Sequence, residues 1–296
     1  MNGLKKRKSN KSLDISSSVF KGGISPPFCI PTCIHAVERF DSLPSTNDYL
    51  LALAKNMSPN HPYHLHNIAC VAAQQTGGKG RQGKTWISPK NNIYLSLLWH
   101  FPCSMNQLGG LSLAMGCAIA NTVRILINAS PKPVSISALG LKWPNDVLWD
   151  YQKLSGILIE FPPSPNAIFS QHTQAVIGVG LNVHQPSTES ITQPWTDLST
   201  VLGYTPDKNQ VLNILVHQLA DVLTQFQTQG FASFIQQWNA WDLTFGKRVN
   251  IITPLITFNG IGHGINSEGL FLLKTDSGEI KTFSSAEVSL RLADGI

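Results

Sequence analysis

The 296-residue chain predicts an α+β domain followed by a small all-β unit. Three observations lead there. Two long stretches, 107–128 and 209–229, repeat apolar residues at helical spacing. β-like runs lie before and between them. After Phe245 the helical spacing stops, and residues 246–296 become short β-like pieces broken by Gly, Asn and Asp turns, a pattern that suggests a small barrel.

The elements follow in order. Residues 1–34 are rich in Ser, Lys, Gly and Pro without a sustained period and read as a basic, disordered tail. Folded chain begins near 34–40. Ser45-Thr46-Asn47-Asp48 offers polar caps to a helix through 49–54. Residues 67–75 and 93–99 are β-like and flank a Gly-rich loop. Helix 107–128 carries Leu108, Leu111, Met115, Ile119, Thr122 and Leu126 on one face. A strand over 139–148 is interrupted by Pro144, which implies a bulge. Strands 154–160 and 175–183 follow. Helix 209–229 keeps Val211, Leu215, Leu219, Val222 and Phe226 in register, and a short aromatic helix spans 231–241. The β-like pieces beyond are 248–252, 256–264, 270–274, 280–283 and 288–292. The units are therefore a tail at 1–34, a main domain at 35–245 and a small domain at 246–296.

Composition narrows the function. Charged residues are only 13% of the chain, against about 25% on average, so Ser, Thr, Asn and Gln must supply much of the surface. The net charge of +5 resides in residues 1–34, where six Lys and Arg face Asp14 alone. The rest is close to neutral, which argues against general nucleic-acid binding. Cys29, Cys33, Cys70, Cys103 and Cys117 are odd in number and irregular in spacing, which favours free thiols and a reducing, cytoplasmic location. Cys29 and Cys33 lack a second ligand pair at zinc-site spacing. No apolar segment follows the basic start, and the apolar stretch 111–120 is too short to span a membrane.

Residues 77–86, Gly-Gly-Lys-Gly-Arg-Gln-Gly-Lys-Thr-Trp, match two phosphate-binding patterns, GxxxxGK[ST] and GxGxxG. Both require a helix after the loop to receive the phosphate at its N-terminus. Here Trp86-Ile87-Ser88-Pro89 and a β-like run follow instead, so a P-loop nucleotidase and a Rossmann site are both disfavoured. The glycines still let backbone N–H groups approach an anion, with Lys79, Arg81 and Lys84 beside it. Alone, the loop reads equally as a solvated hairpin tip. Lys142-Trp143-Pro144-Asn145-Asp146 offers a base, an amide and an acid where a strand breaks, or else a capped turn. Lys153 leads into the apolar run Leu154-Ser155-Gly156-Ile157-Leu158. Gly178 and Gly180 share one strand face, which suits either a flat ligand or a tightly packed helix.

Taken together and in this order, Ser45-Thr46-Asn47, Gly78 to Gly83, Lys142 to Asp146, Lys153 to Leu158 and Gly178 to Val183 resemble the biotin protein ligases, also called biotin–[acetyl-CoA-carboxylase] ligases. The resemblance runs over about 36–292. It implies an α+β catalytic domain with a central mixed sheet and a small C-terminal SH3-like β-barrel. It implies two half-reactions, formation of biotinyl-5′-AMP from biotin and ATP with Mg²⁺, then transfer of biotin to a lysine of a biotin carboxyl carrier protein.

Carried over residue by residue, the resemblance makes Lys153 and Arg81 catalytic. It assigns biotin contacts to Ser45, Thr46, Asn47, Gln75, Lys79, Gly80, Arg81, Lys153, Gly178 and Gly180. It assigns ATP contacts to Arg81, Lys84, Trp86, Lys142, Asn145 and Asn182, and a magnesium contact to Asp146. Lys79 and Gln82 stand where arginine is common in the family. Some members also repress transcription through an N-terminal helix-turn-helix domain. Residues 1–34 are too short and irregular for that, so no DNA partner is expected. Relatives often dimerise sheet edge to edge, which makes a homodimer possible. A lipoate or octanoyl ligase shares the implied fold but typically lacks the Gly-Arg-Gln-Gly and Lys-Trp-Pro-Asn-Asp set.

Overall fold

A computed structural model describes residues 30–57, 65–163, 171–186, 191, 193–285 and 288–292. Most of the expected basic tail, with Cys29, lies outside the described residues. The first half of the main domain runs β1 (Ala36–Phe40), α1 (Thr46–Asn56), β2 (Ile68–Ala72), β3 (Ile93–Phe101) and α2 (Leu111–Asn128). Four strands follow, β4 (Leu139–Lys142), β5 (Asp146–Trp149), β6 (Gln152–Glu160) and β7 (Thr173–Leu181), then α3 (Leu198–Leu202), α4 (Lys208–Gln229) and α5 (Ile235–Trp241).

The seven strands form one sheet in the order β1-β2-β3-β7-β6-β5-β4. β1 and β2 are parallel and the other pairs antiparallel, so the sheet is mixed, as expected. Alternation along a strand explains its two coats. On β2 and β3, Ala69, Val71, Leu95, Leu97 and Trp99 join the core under α2 and α4, while Ile68, Cys70 and Leu98 join Leu50 of α1 on the other face. Burial on both faces is why these strands read as continuous apolar runs. Ser96 and His100 are the exceptions in β3, and Ser96 lies on the α1 side.

Four expectations need correction. The helix expected from residue 107 starts at Leu111, because a 3₁₀ turn (Met105–Leu108) ends at Gly109 and Gly110. Gly110 has φ +76°, and a Cβ there would lie 2.3 Å from Phe231. The segment Met105–Asn128 is also long and apolar enough to cross a membrane, contrary to the shorter stretch weighed above, yet 72% of its 18-residue apolar window is buried inside the fold. Its apolar surface is used by the core and by α4.

Residues 139–148 are not a bulged strand but an antiparallel hairpin, with Lys142 paired to Asp146 and Trp143-Pro144-Asn145 as its turn. Pro144 lacks the N–H that a continuous ladder would need.

The C-terminal strands β8 (Arg248–Ile252), β9 (Thr257–Ile265), β10 (Phe271–Lys274), β11 (Ile280–Phe283) and β12 (Ser289–Leu292) form a five-stranded antiparallel sheet in the order β11-β10-β9-β8-β12. Among the described residues β11 and β12 do not pair, so the expected barrel is not closed. The margin of β12 is met instead by loop 77–86, where Gln82 Nε2 donates to Val288 O at 3.4 Å and Ser289 Oγ donates to Gln82 Oε1 at 3.1 Å.

This sheet is pegged to the larger one by Trp143, which is 1% exposed. Its Nε1 donates to Gly269 O at 3.1 Å, and its ring lies 5.5 Å from that of Phe271. Gly269 in turn abuts Gly110, where a Cβ would come within 2.6 Å of the Gly110 Cα.

Candidate functional site

One cavity of about 570 Å³ opens between the mixed sheet, loop 77–86 and β12, and every site residue singled out from the sequence lines it. Its first part is built at the start of α1. Ser45 is the N-cap and accepts from the Asp48 amide at 3.3 Å, so the capping role expected of it holds. Thr46 donates to Gln75 Oε1 through both N (2.9 Å) and Oγ1 (3.1 Å). Gln75 Nε2 donates to Ser88 Oγ at 3.1 Å, and Ser88 donates to Trp86 O at 2.9 Å. Ser96 reaches Thr46 Oγ1 at 2.7 Å and Asn47 Oδ1 at 2.6 Å. Asn47 donates to Glu160 at 2.7 Å. The result is a compact patch of oriented donors and acceptors on the floor of the cavity.

The two strand glycines serve different neighbours. A Cβ at Gly178 would fall 2.3 Å from Asn47 Oδ1, so this glycine admits the helix start. A Cβ at Gly180 would fall 2.6 Å from the Trp86 indole, and one at Gly156, its cross-strand partner, 2.9 Å from the same ring. The indole therefore lies across a bare stretch of β6 and β7. Helix packing is realised at Gly178, and the ring that lies over Gly180 is the protein's own Trp86 indole. The Trp86 Nε1 is buried without a hydrogen-bond partner among the described residues.

The second part is cationic. Lys79, Arg81, Lys84, Lys142, Lys153 and Arg291 line the cavity, and among the described residues Asp146 is its only lining carboxylate. Lys153 Nζ lies 2.7 Å from Asp146 Oδ1 and 5.2 Å from the centre of the Trp86 ring. Lys142 Nζ lies 3.8 Å from Asp146 Oδ2. Burial pulls the Lys142 ammonium below the ordinary lysine range; Asp146 opposes this, while Arg291, Lys153 and Lys84 add to it. Lys84 is lowered for similar reasons, burial first and then Arg291 and Lys153. Burial also lowers Arg81. Cations crowded around one carboxylate and partly stripped of water favour a polyanion in their midst.

Loop 77–86 is tied at both ends. Lys79 forms an ion pair with Asp48 of α1 at 2.5 Å, which raises the lysine. Arg81 donates to Asn145 Oδ1 at 3.3 Å and to Ser285 O beside the C-terminal sheet. Asn145 Nδ2 is held by Ile157 O at 2.9 Å. After Lys84 there is no helix but extended chain leading to β3, so the mimicry of a P-loop fails structurally as it does in sequence. Farther along the cavity, Asn182 Nδ2 donates to Thr196 O at 3.0 Å and to Lys153 O at 3.4 Å.

Sequence reasoning missed Arg291, Trp195, Gln185, Ser88 and Ser96 as site residues. A lone serine within the apolar run of β3 was a usable signal for Ser96. Arg291 had none, because only the packing of the two sheets brings β12 to the cavity. Among the described residues no group of three or more His, Cys, Asp or Glu gathers to hold a metal ion.

Comparison with known proteins gives consistent matches. Residues 40–182 match the Biotin/lipoate A/B protein ligase family, and residues 244–291 match the Biotin protein ligase C terminal domain. The chain is 32% identical over 253 residues to the bifunctional ligase/repressor BirA of Escherichia coli K12, covering 84% of this chain and 72% of that protein. It is 30% identical over 250 residues to a biotin–[acetyl-CoA-carboxylase] ligase of Mycobacterium tuberculosis, covering 83% and 86%. Among solved structures, a biotin protein ligase from Aquifex aeolicus in complex with biotin and ATP superposes with a TM-score of 0.68 at 27% identity, covering 87% of this chain and 99% of that one.

Proposed function

The chain belongs to the biotin protein ligases of the biotin/lipoate protein ligase family, and from that premise we propose how its cavity divides the work of an ATP-dependent biotin–protein ligase. The observation that carries the proposal is the polarity of the cavity, neutral hydrogen-bonding groups at one end and crowded cations at the other. Biotin has a neutral ureido ring and an anionic tail. The patch of Ser45, Thr46, Asn47 and Gln75 suits the ureido ring, with Asn47 seated on Gly178 and the Trp86 indole seated on Gly180 as floor and Lys79 and Gly80 as flank. The tail then points toward Lys153.

ATP belongs at the cationic end. Arg81, Lys84 and Lys142 take its phosphates, and Asn145, Asn182 and Trp86 line its path. The acid attacks the α-phosphorus, pyrophosphate leaves, and biotinyl-5′-AMP forms. A carrier lysine amine then attacks the anhydride carbonyl and AMP leaves. Joining two anions requires positioning and charge neutralisation. Lys153, between the two ends, meets the biotin carboxylate and the α-phosphate. Arg81 holds the loop over the intermediate and keeps water from it.

Asp146 fits magnesium in the way such ions are usually held near nucleotides, through one carboxylate with the phosphates supplying the remainder. When bound, the ion would add neutralisation of the phosphate charge.

The acceptor is a lysine of a biotin carboxyl carrier protein or domain, that of acetyl-CoA carboxylase by analogy with the Mycobacterium relative. A cytoplasmic location agrees with the free thiols of Cys33, Cys70, Cys103 and Cys117. A sheet-to-sheet homodimer would use β1, because Asp242 and Leu243 engage β4 at Leu141. No DNA partner is proposed, since the cations outside the first 34 residues are balanced by acids and gather partly inside the cavity.

The direct test is exchange of labelled pyrophosphate into ATP. It should depend on biotin and be absent with lipoate. Exchange supported equally by lipoate would overturn the assignment of the polar patch.

A further inference from the structure

Lys153 sits at an irregular place in the larger sheet. Val147 pairs with Ser155 but Leu148 pairs with Lys153, so Leu154 is an extra residue on β6 and Lys153 adjoins a bulge. A bulge bends its strand and re-aims the side chains beside it. β7 gives no support there, because its last pair with β6 is Leu181 with Ser155. Another segment takes that flank. Lys153 N donates to Pro194 O at 3.0 Å, and Thr196 N donates to Lys153 O at 3.0 Å. Residues 194–196 thus form a short strap, parallel to β6 at Trp195, that replaces β7 beside this one lysine. Asn182 Nδ2 joins the two, reaching Thr196 O at 3.0 Å and Lys153 O at 3.4 Å.

The strap is anchored by the residue that follows it. Asp197 is 4% exposed. Its Oδ2 accepts from Gln185 N at 2.7 Å, just past the end of β7. Its Oδ1 accepts from Ser199 Oγ and from Thr200 N, each at 2.8 Å, and so caps α3. The stretch before Gln185 is fixed in turn. Asn92, fully buried ahead of β3, accepts from Val183 N at 2.9 Å and His184 N at 3.2 Å. Burial pushes Asp197 up, but hydrogen bonds from the Thr200 and Gln185 amides and the Ser199 hydroxyl outweigh it and hold the carboxyl below its ordinary range. Leu198 N and Ser199 N also reach back, to Asn182 O and Val183 O. Those bonds join neutral groups, whereas a bond to a carboxylate is about twice as strong.

We propose that Asp197 is a positioning residue for Lys153, its carboxylate fixing the strap that sets where the lysine stands between the biotin carboxylate and the α-phosphate. The assignment rests on that reading of Lys153. The ammonium lies 2.7 Å from Asp146 Oδ1 and 5.2 Å from the centre of the Trp86 ring. A shift of the lysine backbone carries it away from both, and misplacement of a reacting group by about 1 Å can cost about a hundredfold in rate.

Two variants separate this role from the cap. In Asp197→Asn the side-chain oxygen still caps α3, as asparagine does well, but the NH₂ turned to Gln185 cannot accept from its amide. Asp197→Ser also caps, and its shorter side chain no longer reaches Gln185. Biotin-dependent pyrophosphate exchange is measured per biotin-binding site, with the sites counted by calorimetry, so that a smaller folded fraction does not count as slower chemistry. Both variants should lose about tenfold or more in kcat per site, with KM for ATP near that of the wild type. A wild-type kcat per site in either variant overturns the proposal. So does a loss that appears in KM for ATP instead, which would assign the strap to the nucleotide. Loss of the biotin sites in both variants also overturns it, since the carboxylate would then serve the fold alone. No exchange by the wild type brings down the ligase reading itself, whereas unchanged exchange in the variants brings down only the role of Asp197.

Discussion

Lys142 carries the clearest pH signature. Burial and the neighbouring cations, against the pull of Asp146, make its ammonium easier to deprotonate than an ordinary lysine. A bound polyphosphate favours the protonated form, so affinity must fall as pH rises through the depressed value. KM for ATP should therefore climb on the alkaline side while KM for biotin climbs less. Lys142→Arg keeps its charge there, and the climb should flatten. A KM profile for ATP identical in the two proteins would contradict this.

Gly180 is the other informative position. Adding one methyl places a carbon 2.6 Å from the Trp86 ring, and the indole has to move. Overpacking of this kind costs about 1–3 kcal/mol. Gly180→Ala should lower the melting temperature and raise KM for both substrates. At this scale the sequence was informative about residue types but not about partners. The Lys142 to Asp146 motif displayed its lysine, amide and acid openly. That Asp146 faces Lys153, eleven residues beyond Lys142, depends on β5 and β6 lying side by side.

At the scale of elements, loop 77–86 is the part that the proposed chemistry needs over the intermediate, and it is tied to α1 on one side and to the C-terminal strands on the other. Gln82 stands where arginine is common, adopts a left-handed conformation with φ 55°, and meets Ser289 and Val288. Left-handed backbone costs a non-glycine residue about 1–2 kcal/mol, which the two side-chain bonds help to offset. Arg81 is tied to both sheets.

Arg81→Gly should therefore release biotinyl-AMP and label bystander lysines, and Ser289→Ala should do so to a smaller degree. Intermediate trapping on a rapid filter would measure both, and retention equal to the wild type in Arg81→Gly would remove the proposed role. The helices α2 and α4 and most strands were legible because their periods are set by burial on fixed faces. The hairpin at Pro144 was misread because a proline in a β-like run is compatible with either a bulge or a turn. α3 went unseen; at five residues it is too short to display a period.

The whole molecule is two sheets pegged together so that the second closes the cavity of the first. Trp143 is the peg. Trp143→Phe keeps a ring against Phe271 but leaves Gly269 O without its donor, a loss of about 1–3 kcal/mol. Because Arg291 reaches the cavity only through this docking, the variant should raise KM for ATP more than KM for biotin, beyond its effect on melting temperature.

The onset of a second, antiparallel sheet was legible from the change of period after Phe245. The unclosed pairing of β11 and β12 was not, because strand-like spacing reports faces and carries no information about which edges meet.

On the proposed reading, this single cavity both makes the labile acyl-adenylate and delivers it to an amine. Incubating the purified chain with biotin, MgATP and a biotin carboxyl carrier domain, and weighing the carrier domain by mass spectrometry, tests it most directly. One added biotinyl group on one lysine, dependent on ATP and lost in Lys153→Ala, is the predicted result. A carrier domain of unchanged mass, with no biotinyl-AMP formed, would contradict the account.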